Sequence, residues 1–365
     1  MKIECVTEKL QQALAKAERF TGKNLSLPIL SHLFLSAKRG GITIRATNLD
    51  VGVEISLPAK VEREGEVAVP SVVFSQLIAN LGAARGVVLE EKNKTLAVVT
   101  AQTKAAVKMS QTDDFPTLPR VGGRTISMDP KVFVTGFKAV SHSASSGNLK
   151  PELGSVFLYT KENELVFAAT DSFRLAEKRI LLKKGAEMAG ILVPARNLGE
   201  VCRVLEDATG EVVVSLEKTQ VSFGGEGFYV TSRIIDGSFP DYQQIIPKSH
   251  TTEAVVLKED VLHALRLATL FSDRFNQVRI KADPVGKYLE FSSRRDDAGE
   301  NASHIAAALT GEAVESNFNH RYISDCLPSI SSDSVVLRWN GEGKPLLVSG
   351  VGDKSFQYIV MPMNR

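Results

Sequence analysis

A Phe-Pro pair recurs along this chain at an interval close to one third of its 365 residues. Phe115-Pro116 stands in TDDFPTLP and Phe239-Pro240 in DGSFPDYQ, so the two prolines lie 124 residues apart; Pro362, in YIVMPMNR, follows after another 122. Other markers keep the interval. ITIRATNLD (42–50) matches LVFAATDSF (165–173), with Thr47 and Thr170 separated by 123 residues, and LEFSSRRDD (289–297), with Ser293, occupies the third slot. AVPSVVFSQL with Pro70 matches LVPARNLGEV with Pro194, and NFNHRYISDC around His320 is a weaker third copy. A fixed period of this size means one unit used three times, with divisions near 1–122, 124–247 and 249–365.

Each copy opens on a helical pattern. VTEKLQQALAKAERF sets Leu10, Ala13, Leu14 and Ala17 on one face, and MDPKVFVTGFKAV offers Asp129 as N-cap with Pro130 in the first turn. LKEDVLHALRLATLF repeats the plan, with Leu262, Leu265 and Thr269 as its expected apolar face. A second helix starts after each VPS or VPA site, at Ser71 and Ala195. The intervening segments, such as GITIRATNLDVGVEISLPAKV and GEVVVSLEKTQVSFGGEGFYVTSRII, alternate as strands do. The expected class is α+β, with two helices on antiparallel sheet in every copy.

Motifs of catalysis are missing. There is no GxxxxGK[ST], no GxGxxG between strand and helix, and no HExxH. GGEGF reads as a hairpin turn. SLEK (215–218) has the SxxK spelling but falls in a strand pattern, where residues three apart face opposite ways. SHSASSGN (141–148) reads as a mobile polar loop, and the pairs Asp113-Asp114 and Asp296-Asp297 as solvated turns. Cys5, Cys202 and Cys326 are odd in number and far apart, which suits reduced core thiols, and no cofactor or metal site is expected. MKIECVTEKLQQ has no secretory core and no apolar run approaches a membrane span, so a cytoplasmic location is the expectation.

Charge is more informative by position than by sum. The formal net charge is only +2, yet Lys9, Lys16, Arg19, Lys138, Arg196, Arg203, Arg266 and Arg321 all fall in the helical patterns. Glu62, Glu64, Glu90, Glu91, Asp296 and Asp297 fall in strands or turns, while Glu18, Glu200 and Glu206 interrupt the basic helices. A shared helical surface would be basic and suited to phosphates; an ordinary solvated helix face has the same composition. A second oddity is DGSFPDYQQIIPK (236–248), where a connector between repeats carries an aromatic pair, two prolines and two isoleucines.

Taken together, SLPILSHLFL (26–35), ATNLD, AATDSFRLA (168–176), IIDGSFPDYQQIIPK, FNHRYISDCL (318–327) and YIVMPMNR resemble the β subunit family of bacterial DNA polymerase III, the sliding clamps, over the whole chain. The resemblance implies a clamp-type domain in three copies and a head-to-tail homodimer forming a six-domain ring, with helices inside facing double-stranded DNA. It implies DNA proximity for Lys23 and Lys150, to which the helical reading adds Lys9, Lys16, Lys138, Arg196 and Arg203. It implies a partner-peptide groove built from Leu153, Thr170, Ser172, Phe173, Arg174, Leu175, Pro240, Gln244, Ile245, Ile246, Tyr322, Ile359, Val360, Met361, Pro362 and Met363. Partners so implied are the DNA polymerase III alpha subunit, an ATP-driven clamp loader complex, and other polymerases and repair proteins carrying clamp-binding peptides; neither a cofactor nor a membrane is implied.

The chain departs from the family pattern at Ser172-Phe173, where relatives often have Gly-His or Gly-Tyr, and at Gln244, where many have arginine. For the ring interface the resemblance implies pairing of TKAAVKMS (103–110), through Lys104, Ala105 and Val107, with Leu270 and Phe271 of a second copy. Two other classes compete on the residues alone: an enzyme using His142 or His320, and a DNA-binding scaffold that does not encircle its ligand. Phe271→Asp is expected to give monomers, and an unchanged dimer in sedimentation would contradict that placement of the interface.

Overall fold

The structure is a computed structural model, and it describes residues 1–24, 26–82, 84–147, 149–182 and 187–363. Six α-helices occur among these residues: α1 (Thr7–Ala17), α2 (Ser71–Ala79), α3 (Pro130–Val140), α4 (Ala195–Leu205), α5 (Lys258–Leu270) and α6 (His320–Cys326). The spacing of apolar residues explains α1, whose buried stripe is Thr7, Leu10, Ala13, Leu14 and Ala17. Asp129 caps α3, its Oδ1 accepting the Lys131 backbone N–H at 2.9 Å. In α5 the buried stripe is Val261, Ala264, Leu265 and Ala268 rather than Leu262, Leu265 and Thr269. Alanines let this helix lie close on strands Tyr288–Arg295 and Gly299–Ala306, and Ser293 Oγ reaches the Ala268 carbonyl at 2.8 Å. Thr269 is left outside, donating to the Leu265 carbonyl of its own helix at 2.8 Å.

The chain forms two compact units, residues 1–134 with 196–234, and residues 135–195 with 235–365. Each contains two antiparallel sheets. In the first unit a five-stranded sheet runs from Lys60–Arg63 through Lys2–Val6, Gly86–Lys92 and Thr95–Val99 to Lys104–Lys108. Its eight-stranded sheet joins strands of two repeats, because Phe228–Arg233 pairs with Val51–Pro58 from Phe228↔Ile55 to Ser232↔Val51. The nine-stranded sheet of the second unit has the same kind of seam, in which Arg174–Leu181 pairs with Phe356–Val360 from Arg174↔Val360 to Lys178↔Phe356. A seam of this kind gives the strand edges of two repeats to each other and so removes both from solvent. The fourth sheet has four strands, with Gly299–Ala306 outermost.

The ATNLD and AATDSF markers fold into one turn made twice. Thr47 Oγ1 donates to the Val51 carbonyl at 3.0 Å and accepts the Leu49 N–H at 3.0 Å, while Asn48 Oδ1 accepts the Asp50 and Val51 N–H groups. Thr170 Oγ1 likewise donates to the Arg174 carbonyl at 2.7 Å and accepts the Ser172 N–H at 3.1 Å, while Asp171 Oδ1 accepts those of Phe173 and Arg174. These side-chain bonds hold Leu49 and Ser172 at φ 76° and 80°, a left-handed conformation that costs a side-chain-bearing residue about 1–2 kcal/mol. The third slot has no such Thr-Asx pair, and strand Tyr288–Arg295 runs straight through Ser293.

Two sequence readings need correction. The SLEK strand ends at Leu216, so Lys218 lies in the turn that follows rather than across the strand from Ser215. SHSASSGN does not begin as a loop: Ser141–Ser143 is a 3-10 turn with Ser143 fully buried, and Asn148 falls outside the described residues. The GGEGF hairpin is present between Gln220–Gly225 and Phe228–Arg233, and the three cysteines are free and buried. In α3, a Cβ on Gly136 would run into the ring of the fully buried Phe167. Gly136→Ala should therefore lower stability by about 1–3 kcal/mol through overpacking, although alanine is the better helix former. A urea unfolding midpoint equal to or above that of the parent would contradict this.

Candidate partner-binding site

The apolar connector of residues 236–248 is laid against the nine-stranded sheet by its aromatic residues. Tyr242, in the 3-10 turn Tyr242–Gln244, is buried with Ala168, Leu175 and Ile359, and Phe157, Phe239, Ile246 and Leu347 pack around this cluster. Phe239 stacks on Phe157 with ring centroids 5.0 Å apart and meets Tyr242 edge-on at 5.8 Å. Three segments far apart in sequence thus share one core.

A buried carboxylate fixes the connector's position. Glu177 is 1% exposed, and its Oε1 accepts from Arg179 Nε at 2.8 Å and from Gln357 Nε2 at 2.7 Å. The Tyr242 hydroxyl donates to Oε2 and lies 2.9 Å from the Tyr159 hydroxyl. Burial, and then the charge of Glu177, push the Tyr242 pKa well up, so the phenol remains a donor. Neither residue's polar role was apparent in the sequence. The available signal was a carboxylate directly after the apolar pair Leu175-Ala176 in a strand pattern, with a tyrosine in the apolar FPDY connector.

The residues expected in the groove separate into support and rim. Leu153, Thr170, Leu175, Ile359 and Val360 are buried. Ser172, Phe173, Pro240, Gln244, Ile245 and Met361 are exposed, with Phe173 at 61%, Ile245 at 51% and Met361 at 38%. Arg174, Ile246, Tyr322, Pro362 and Met363 are half-buried. The Met361 N–H donates to the Phe173 carbonyl at 2.8 Å, and the Met363 N–H to the Asn317 carbonyl at 2.8 Å. Arg174 is held by Asp171 at 2.9 Å and Asp325 at 2.6 Å, with its guanidinium 4.5 Å from the centre of the Tyr322 ring. Gln244 donates to Asp241 within its own turn. Asn364 and Arg365 lie outside the described residues.

The two candidate catalytic histidines are packing residues. His142 sits 5.4 Å from the Tyr358 ring, its Nε2 buried without a hydrogen-bond partner, and burial together with Arg174 pushes its pKa down to about 4. His320 is 3% exposed, with Nδ1 3.4 Å from Thr269 Oγ1 and Nε2 3.3 Å from Ser272 Oγ. Among the described residues no group of three or more His, Cys, Asp or Glu side chains could hold a metal ion.

Of the expected DNA-facing residues, the first unit carries Lys9, Lys16, Lys23, Arg196 and Arg203, and the second Lys138 and Lys150. Lys16 pairs with Asp207 at 2.8 Å and Arg203 with Glu200 at 3.4 Å. Arg196 pairs with Asp50 at 3.0 Å, and Arg233 lies 3.6 Å from the same carboxylate. Lys23 and Arg196, with Arg19, line a depression of about 420 Å³ that also contains Asp50 and Glu200. Lys104, Ala105 and Val107 lie on the outermost strand of the five-stranded sheet, where Val107 points into its own core at 5% exposure. Leu270 is 61% exposed and Phe271 half-buried at the end of α5.

Three repeats of two helices on antiparallel sheet, joined by sheet seams, define a clamp-type protein. Family models for the DNA polymerase III beta subunit match its N-terminal domain to residues 1–119, its central domain to 127–241 and its C-terminal domain to 243–364. The chain belongs to the DNA polymerase III beta subunit family, the sliding clamps of DNA replication. It is 26% identical over 372 residues to the beta sliding clamp of Synechococcus elongatus, covering 100% of this chain and 99% of that protein. The DNA polymerase III beta subunit of Thermotoga maritima shares its fold with a TM-score of 0.94 at 24% identity, over 100% of this chain and 99% of that one. A Pseudomonas aeruginosa sliding clamp solved bound to griselimycin superposes with a TM-score of 0.95 at 20% identity, over the whole of both chains.

Tyr242→Phe is expected to destabilise the second unit by about 1–3 kcal/mol, because Glu177 Oε2 loses its donor while remaining buried. A urea titration followed at this unit's unfolding transition measures the loss, and a midpoint matching the parent would contradict the anchoring role.

Proposed function

We propose that two copies of this chain close head to tail into a ring of six domains, with boundaries near 1–122, 124–247 and 249–365, around double-stranded DNA. We further propose that the surface between Phe173, Ile245 and Met361 takes the clamp-binding peptides of a DNA polymerase III alpha subunit, a clamp loader, and other polymerases and repair proteins. The observation that carries this reading is that these exposed apolar side chains stand one or two residues along the chain from Leu175, Ile246 and Ile359, which belong to a core shared by three sequence-distant segments. Such a site is rigid underneath and apolar on top. Its methionine adapts to different side chains, which suits one surface serving several partners.

Ring closure is supported by two open strand edges, Lys104–Lys108 and Gly299–Ala306, each outermost in its sheet. The first ends in lysines and the second contains Glu300, so antiparallel pairing between copies would hide both edges and oppose unlike charges. DNA contact is supported by Lys9, Lys23 and Lys150, which have no ion pair with any described residue. A few loose phosphate contacts suffice for a ring, because topology provides the retention and the protein must still slide. The ring then acts without chemistry of its own, raising the local concentration of polymerase at the primer end. Among the described residues no helix is long and apolar enough to cross a membrane; the proposed location is the bacterial cytoplasm.

The test is fluorescence anisotropy of a labelled Gln-Leu-x-Leu-Phe peptide against the full chain and against a chain lacking residues 361–365. Saturable binding that weakens at least about tenfold in the shortened chain, a difference of about 1.4 kcal/mol, is expected. Equal binding to both chains, or none to the folded full chain, would contradict the reading.

A further inference from the structure

Beside the peptide surface lies a small cavity of mixed polar and apolar lining. It measures about 220 Å³ and is lined by Pro247, Lys248, His250, Arg338, Trp339 and Leu347 among others. Two observations connect it to the peptide surface. Pro247 directly follows Ile246 in the connector, and Leu347 packs against the buried cluster of Ala168, Leu175, Tyr242 and Ile359. At that volume the cavity is below the roughly 300–1,000 Å³ usual for an independent small-molecule site, and suits one side chain or chain end.

Its charge is unbalanced. Glu253 accepts from Arg338 Nε at 2.7 Å and lies 3.5 Å from His250 Nε2, and it makes no ion pair with Lys248. Arg338 Nη1 is further occupied by Ser349 Oγ at 3.2 Å. Lys248 has no ion pair with any described residue. Among the described residues the cavity therefore presents an ammonium group without a counter-charge, beside an apolar surface.

We propose that this cavity takes a carboxylate from the same peptide that occupies the apolar surface, supplied by a flanking Asp or Glu side chain or by a chain terminus. The inference rests on the peptide reading. The lysine is exposed, so the contribution is modest: a surface ion pair in this setting gives about two- to fivefold in affinity. Selectivity for peptides with an acidic flank follows from a site that neutral sequences leave empty.

The chain contains a single tryptophan, and it lines this cavity, so its emission reports occupancy directly. Four tryptophan-free peptides distinguish the sources: the amidated Gln-Leu-x-Leu-Phe core, the same core with a free C-terminal carboxylate, and amidated cores extended by Glu at either end. The expected result is that the amidated core binds without changing Trp339 emission. At least one carboxylate-bearing form should bind two- to fivefold more tightly and shift that emission, and both effects should vanish in Lys248→Glu and shrink in 0.5 M salt, the condition we would use as the screening control, at about three times physiological ionic strength. If the core binds and no carboxylate form gains affinity, or if the gain survives Lys248→Glu, the inference is overturned while the peptide surface stands. If the core itself fails to bind, the peptide reading falls and the inference with it.

Discussion

The structure depends on the pairing of strands that belong to different repeats. One repeat of two helices on sheet leaves strand edges with unpaired N–H and C=O groups, which attract other chains. Here Val51–Pro58 pairs with Phe228–Arg233, and Arg174–Leu181 with Phe356–Val360, so at each seam the edges of two neighbouring repeats cover one another. This is why compactness divides the chain into two units although the sequence repeats three times: each unit is built around a seam and not around a repeat.

The second seam also generates the candidate site. Pairing of Arg174↔Val360 and Leu175↔Ile359 brings the AATDSFRLA turn beside the YIVMPM segment, and the connector is then fastened over the same sheet by Tyr242 and Glu177. The apolar residues of the connector divide their duties. Phe239 and Tyr242 turn inward to the cluster, whereas Ile245 stays in solvent at the rim. Ser172 contributes through its backbone: the Thr170 and Asp171 side chains hold it left-handed, which turns Phe173 outward beside Met361. A glycine would adopt that conformation without steric cost; the serine is tolerated because the surrounding hydrogen bonds fix it.

Much of this was legible in the sequence, and the failures have physical causes. The repeat, the helices and the Asp129 cap follow from local periodicity and short-range hydrogen bonding, which a linear reading captures. The face of α5 was misjudged because alanine counts little on a hydropathy pattern, yet Ala264 and Ala268 are what permit close approach to the sheet. Sequence alone did not divide the expected groove residues into buried ones, such as Val360 and Leu175, and exposed ones, since belonging to a site's segment does not decide which side of a strand faces out. Glu177 was missed because a buried carboxylate is stable only with donors drawn from Arg179, Tyr242 and Gln357, and no local pattern announces partners up to 180 residues away. Lys9, Lys16, Lys138, Arg196, Arg203, Arg266 and Arg321 do lie on α-helices, whereas Arg19 falls in the 3-10 turn after α1; Lys16, Arg196 and Arg203 meet Asp207, Asp50 and Glu200, which spacing alone could not show.

The central claim is that the seam makes the second unit one cooperative body and so holds the connector, the turn and the closing strand in register. Native-state hydrogen exchange tests it most directly. The account predicts that the buried amides of Leu175–Lys178 and Phe356–Val360 exchange together, at the rate set by global opening of that unit. Exchange of Phe356–Val360 that is far faster than that of Leu175–Lys178 would mean that the closing strand frays on its own, and the seam would not be the element on which the site is built.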